Sequence, residues 1–176
     1  VQPKQMRAAD FQTLSNIFNL IGNYAQNNTG KITFTKHQPS RDQLKRSSVI
    51  AFGAPNQNQF IKSLNKQLYF QFDDHFSVLV SNEKLSIEKQ YGATVGTAQL
   101  LRSPFNKRRA LLVVTGANPA ATYLGSTQIN FEKNIEMYRN KDAVLVDPDN
   151  NHFSYRFKKQ AAIDSSVQVK RTISKN

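Results

Sequence analysis

The sequence predicts an α/β fold: a three-layer sandwich of helices about a mostly parallel sheet, with an antiparallel hairpin at one edge. Three observations predict it. Ala110-Leu111-Leu112-Val113-Val114 is the most continuously apolar run in the chain. Closed by Thr115-Gly116, it reads as a strand buried on both faces. Val49-Ile50-Ala51-Phe52, apolar after Ser48, reads the same way. Around these two runs helical and strand patterns alternate, the order expected of a sheet sheathed by helices.

Taken in order, residues 1–9 are polar and basic with Pro3 and read as a linker. Asp10 is a candidate N-cap, after which Phe11, Leu14, Ile17, Phe18 and Ile21, with Tyr24 next in the series, recur at helical spacing. The helix is expected to end near Ala25, before Asn27-Asn28-Thr29-Gly30. The Asn27 sequon there reads as loop chemistry rather than a glycan site. Lys31-Ile32-Thr33-Phe34-Thr35 alternates with period two and predicts a strand. Pro39 breaks the chain, and Ser40 can cap a short helix over Arg41 to Lys45. The strand from Val49 ends at Gly53-Ala54-Pro55-Asn56. Phe60, Ile61 and Leu64 then place a helix over Asn58 to Asn65.

Leu68 to Phe72 suits a short strand. Phe76 to Leu85 is open between strand and helix, and Ser86 to Gly92 reads as a surface loop. Leu100-Leu101 ends a strand that begins near Val95. Ser103-Pro104-Phe105-Asn106 has turn chemistry, and Lys107-Arg108-Arg109 keeps that turn in water. Asn118-Pro119 opens a helix, with Asn as cap and Pro at the first position. Phe131 to Arg139 reads as a further helix. Ala143 to Val146 and Phe153 to Phe157, joined by Asp147-Pro148-Asp149-Asn150-Asn151, form a hairpin. The α/β domain thus spans residues 10–157, and residues 158–176 read as a basic extension or linker.

Composition excludes several chemistries. The 176-residue chain has no cysteine, which removes disulfides, thiolate metal sites and cysteine nucleophiles. Its 24 Lys+Arg against 12 Asp+Glu give a net charge of +12, which favours an acidic partner or a solvated surface. The cations are scattered except at Lys107-Arg108-Arg109 and near Lys170-Arg171. No aromatic–basic motif of the single-strand readers accompanies them, so no nucleic-acid partner is expected. No run approaches the roughly 20 apolar residues of a membrane span, and no signal peptide is visible. A start at Val rather than Met fits a piece of a longer protein.

Two loops lead from a buried strand to a helix N-terminus, Gly53 to Asn58 and Thr115 to Pro119, where a parallel sheet would place a ligand. Neither G-x-G-x-x-G nor a P-loop occurs, and Pro55 and Pro119 remove N–H donors. No nucleotide, flavin or other cofactor is therefore expected. His37, His75 and His152 lack partners at ligand spacing. Asp73-Asp74-His75 reads as a solvated turn rather than an acid–base group, and Asp147-Pro148-Asp149 as a β-turn rather than half a calcium loop. No catalytic residue and no metal site is expected.

Four segments carry a resemblance: Val49 to Asn58, Gly96 to Asn106, Arg109 to Gly116, and Asp142 to Asp147. With the pattern GxxQLLxSPxNxxRAxLVVTG, they are similar to the regulatory (B) subunit of bacterial cellulose synthase, at one of its flavodoxin-like domains. The likeness covers roughly Asp10 to Phe157. It implies a non-catalytic accessory domain, without flavin, in a parent anchored on the extracellular face of the cytoplasmic membrane. The partner would be the catalytic subunit of the glucan synthase, with the nascent polysaccharide as a further contact. The role expected is scaffolding or docking, through Pro55, Asn56, Asn58 and Asn118 in the strand-to-helix loops and Lys107, Arg108 and Arg109 in the basic turn. The alternatives are a carbohydrate-binding module stacking sugars on Tyr69, Tyr91 or Tyr123, and a flavin- or nucleotide-dependent oxidoreductase.

Overall fold

In the computed structural model, residues 1–24, 31–130 and 140–157 are described. The elements are α1 (Ala8–Tyr24), α2 (Arg41–Arg46), β1 (Val49–Phe52), α3 (Gln59–Leu64) with a 3-10 turn (Asn65–Gln67), and α4 (Lys89–Thr94). There follow β2 (Gly96–Arg102), β3 (Ala110–Gly116), α5 (Pro119–Thr127), β4 (Ala143–Val146) and β5 (His152–Tyr155). The expected helix over residues 131–139 and the basic extension at 158–176 lie outside the described residues.

The five strands form one open mixed sheet in the order β1-β3-β2-β4-β5. This corrects the expectation of a mostly parallel sheet. Only β1 and β3 run parallel; β2 is antiparallel to both β3 and β4, and β4 to β5. Chain length gives the reason. A parallel neighbour needs a crossover of a dozen or more residues. Residues 103–109 join β2 to β3, and residues 147–151 join β4 to β5, so both pairs close as hairpins.

Alternation along the strands divides the apolar residues between the two faces. Val49, Ala51, Leu111, Val113 and Leu145 join Leu44 of α2 and Phe60, Ile61 and Leu64 of α3 in one buried cluster. Phe52, Ala98, Val114, Val144 and Val146 join Ile17 of α1 and Ile129 in the other. α5 sits very close to the sheet. Gly96 and Gly116 on the strands, and Gly125 on the helix, leave no space for a side chain: a Cβ on Gly125 would stand 2.6 Å from the Thr97 nitrogen.

Several local expectations are corrected. α1 starts before Asp10, which takes the third helical position; Asp10 Oδ2 accepts the Arg7 N–H at 2.9 Å, one half of a capping box. Its buried stripe runs through Asp10, Thr13 and Ile17, while Phe11 and Phe18 are exposed. The stretch expected as a linker is pinned at its start. The Val1 nitrogen donates to the Ile50 carbonyl (2.6 Å), and the Phe52 N–H donates to the Val1 carbonyl (3.1 Å), extending the edge of β1.

Lys31 to Thr35 forms no strand. It is exposed except at Thr35 and pairs with no strand among the described residues, although the Gln2 N–H donates to the Thr35 carbonyl (3.0 Å); the Phe34 ring rests 5.5 Å from that of Phe18. Leu68 to Phe72 makes only a single bridge, Phe72 to Leu79. Two carboxamides take the place of a neighbouring strand there. Gln99 Oε1 accepts the Phe70 N–H (3.0 Å) while its Nε2 donates to the Phe70 carbonyl (3.1 Å). Asn65 does the same for Phe72, at 2.8 and 2.9 Å. The expected loop at Ser86 to Gly92 includes the start of α4, whose Gly92 is buried against the Leu79 backbone.

Candidate functional site

The two strand-to-helix loops come together at one end of the sheet. The Gly53 N–H donates to the Val114 carbonyl (3.1 Å), and Thr115 Oγ1 donates to the Gly53 carbonyl (2.8 Å). Several of the first N–H groups of both helices are already engaged. Asn58 Oδ1 accepts from Phe60 (3.1 Å) and Ile61 (3.4 Å), and its Nδ2 donates to the Phe52 carbonyl (2.9 Å). Asn118 Oδ1 accepts from Ala121 (2.9 Å), and its Nδ2 donates to the Ala93 carbonyl (3.2 Å). Both carboxamides act as caps, the role those helix starts require.

The chain's own first residues also occupy this end. Pro3 packs so tightly on Gly53 (φ +118°) that a Cβ there would lie 2.5 Å from the proline ring. The Lys4 N–H donates to the Gln57 carbonyl (3.0 Å). Gln57 Oε1 is buried without a partner; it is an acceptor, the wrong sign for a phosphate. Pro55 is buried, and Asn56 is exposed with a long contact from its Nδ2 to the Phe76 carbonyl (3.5 Å). Of the loop residues singled out from the sequence, Asn58 is structural, and Asn56 and Asn118 stay accessible.

The basic turn lies at the opposite end of the sheet, since Arg102 pairs with Ala110 there while Gly96 pairs with Gly116 at the loop end. Lys107, Arg108 and Arg109 are all exposed. Asn106 Nδ2 donates to the Lys45 carbonyl at 2.7 Å, and Asn106 Oδ1 accepts the Arg108 N–H at 3.0 Å. The turn is therefore held against the C-terminal end of α2.

The histidines His37, His75 and His152 are exposed, and no group of three or more His, Asp or Glu among the described residues is arranged to hold a metal ion. Asp73 organises its turn by accepting the Ser77 N–H (2.7 Å), the Ser77 hydroxyl (2.9 Å) and the Val78 N–H (3.2 Å). Asp147 caps the β4–β5 turn by accepting from the Asp149 and Asn151 N–H groups at 3.0 and 2.8 Å.

A concave feature that the sequence did not reveal as a unit is a groove of about 330 Å3 lined by Leu85, Ser86, Glu88, Tyr91, Phe153 and Tyr155. Phe153 and Tyr155 project from the same face of the edge strand β5, two residues apart, and Phe153 is 45% exposed. Burial pushes the Tyr91 phenol up, and Asp147, to which its hydroxyl donates at 3.5 Å, pushes it further the same way. Burial likewise raises the Tyr155 phenol. Glu88 lines the same groove. Of the three tyrosines considered from the sequence, only Tyr91 lines the groove. Tyr69 is stacked on Phe157 with ring centroids 4.4 Å apart, and Tyr123 is half-buried on α5. The spacing of Phe153 and Tyr155 was the available signal; which loop faced them was not. Comparison with family models, curated proteins and solved structures finds no match for this chain.

Proposed function

We propose that the chain is a non-catalytic accessory domain that works by docking to other macromolecules, in the setting its resemblance implies: a membrane-associated β-glucan synthase complex. The observation that carries the non-catalytic part is the filling of the loop-lined sheet end. Asn58 and Asn118 occupy the helix N-termini, and Pro3 and Lys4 pack on the Gly53 to Asn58 loop. A nucleotide or flavin would have to displace all of them. The glucan synthase setting rests on the four similar sequence segments alone. Apolar clusters on both faces of the sheet support a three-layer, flavodoxin-like arrangement with its parallel pairing confined to β1 and β3.

The test is co-purification. The parent protein, tagged and solubilised in mild detergent, is expected to carry the catalytic synthase subunit with it. The isolated chain is expected to leave flavin mononucleotide fluorescence unchanged. Flavin quenching with a defined stoichiometry overturns the non-catalytic reading; a parent that purifies without a glycosyltransferase overturns the setting.

A second reading is favoured by one specific observation, the groove in which Tyr91, Phe153 and Tyr155 flank Glu88. Aromatic faces beside a carboxylate suit a sugar ring, whose C–H face stacks while its hydroxyls donate. Affinity electrophoresis in gels containing soluble β-glucan should retard the chain, and Tyr91→Ala should restore its mobility.

A further inference from the structure

We infer that the end of the sheet carrying the basic turn is a docking surface for the anionic headgroups of a phospholipid bilayer. Three segments distant in sequence meet there. α2 ends in Lys45 and Arg46, β2 ends in Arg102, and the following turn supplies Lys107, Arg108 and Arg109. The hydrogen bond from Asn106 Nδ2 to the Lys45 carbonyl and the one from the Ala110 N–H to Ser48 Oγ (3.3 Å) fasten the turn to the α2–β1 junction. All six cations are exposed.

None of the six forms an ion pair among the described residues, although Asp42 lies on the same short helix. Asp142, also at this end, is engaged by the Phe157 N–H at 2.8 Å. A concentration of cations left unneutralised by the fold produces a positive field suited to an anionic partner.

What selects a bilayer over a soluble polyanion is Leu100. It is 51% exposed and lies on the same face of β2 as Arg102, two residues away. It is directly opposite Leu112, which in turn is opposite Ile50, and both of these are only half-buried. An apolar strip therefore crosses three strands beside the cations. A dissolved polyphosphate or a nucleic-acid backbone offers nothing to an exposed leucine. The headgroup–acyl boundary of a membrane accepts basic and apolar side chains together. Docking in this way would turn the loop-lined end, and Asp147 with the top of the aromatic groove, away from the lipid, because Gly96 pairs with Val146 at that other end.

The experiment is sedimentation of the 176-residue chain with vesicles of phosphatidylglycerol and phosphatidylcholine, or of phosphatidylcholine alone, at low and high salt. Binding is expected only to the anionic vesicles and is expected to fall with salt. The combined change Lys107→Gln, Arg108→Gln and Arg109→Gln should weaken it roughly a hundredfold, given the usual strength of a cation near an anionic membrane. Leu100→Ser should weaken it severalfold. All these positions are exposed, so unchanged far-ultraviolet circular dichroism and thermal midpoint are the folding controls. Equal binding to the two vesicle types, or full binding by the triple variant, overturns the inference. So does displacement by duplex DNA or polyphosphate with Leu100→Ser behaving as wild type, which assigns the surface to a soluble polyanion.

Discussion

Gln99 is fully buried in β2, beside the apolar Ala98 and Leu101, and its carboxamide reproduces both hydrogen bonds that a neighbouring strand would give Phe70. Replacing it with Leu keeps the volume but leaves the Phe70 N–H and carbonyl buried and unpaired. Gln99→Leu should therefore destabilise the domain by about 3 kcal/mol, read as a lowered urea midpoint at unchanged slope. Asp73 shows the same logic at the surface. Burial pushes its carboxyl up, but the Ser77 N–H and hydroxyl, the Val78 N–H and the nearby His75 outweigh that and hold it below the ordinary carboxylate range. A depressed folded pKa means that the stabilisation is fully present above the unfolded value, near 4, and is lost as pH falls through the folded one. Asp73→Ala should cost about 1 kcal/mol at neutral pH. The gap between variant and wild type should narrow in acid unfolding below pH 4. The sequence marked Asp73 correctly as a turn residue, but Gln99 lacked any local signal, because its partner lies 29 positions away.

Three helix starts were legible, because a cap is a local interaction, whereas those of α1 and α4 were not. Ser40 and Asn118 cap α2 and α5 as their sequences predict, and Asn58, expected as the first residue of a helix, caps α3. Asn58 also ties α3 to β1 and to Val1, so Asn58→Ala should lower stability by about 2 kcal/mol, the upper end for a cap. α5 makes the contrary point about propensity. On a solvent-facing turn, exchanging Gly for Ala would gain about 1 kcal/mol. At Gly125 the added methyl would strike the Thr97 backbone, so Gly125→Ala should instead lower the thermal midpoint by several degrees. Pairing direction and helix phase were less legible. The alternation at Lys31 to Thr35 is real but meets no strand among the described residues, and α1 presents Asp10 and Thr13 to the interior where Phe11 and Phe18 were expected. Both depend on what packs opposite, which a local pattern does not encode.

Across the whole molecule the charge is unevenly distributed. The net charge is +12, yet Glu88 lines the aromatic groove and Asp147 and Asp149 stand beside Tyr91, while six cations without an ion pair among the described residues gather at the far end of the sheet. The basic turn was visible as a run of three residues. Its enlargement by Lys45, Arg46 and Arg102 was not, because only the folded sheet brings α2 and the β2 terminus to it. The groove was hidden for the same reason: Tyr91 and Phe153 come together through the packing of β5 on the Leu85–Tyr91 segment. The strand arrangement also bears on how the chain assembles. β2 and β3, and β4 and β5, are neighbours in sequence and can zip locally, whereas Val49 must find Leu111 across an intervening 61 residues. Closing the larger loop is slower and entropically harder. The amino-terminal third should therefore be last to dock and first to open. In hydrogen-exchange mass spectrometry, peptides covering β1 should take up deuterium ahead of those covering the β2–β3 pair, and before the molecule unfolds as a whole.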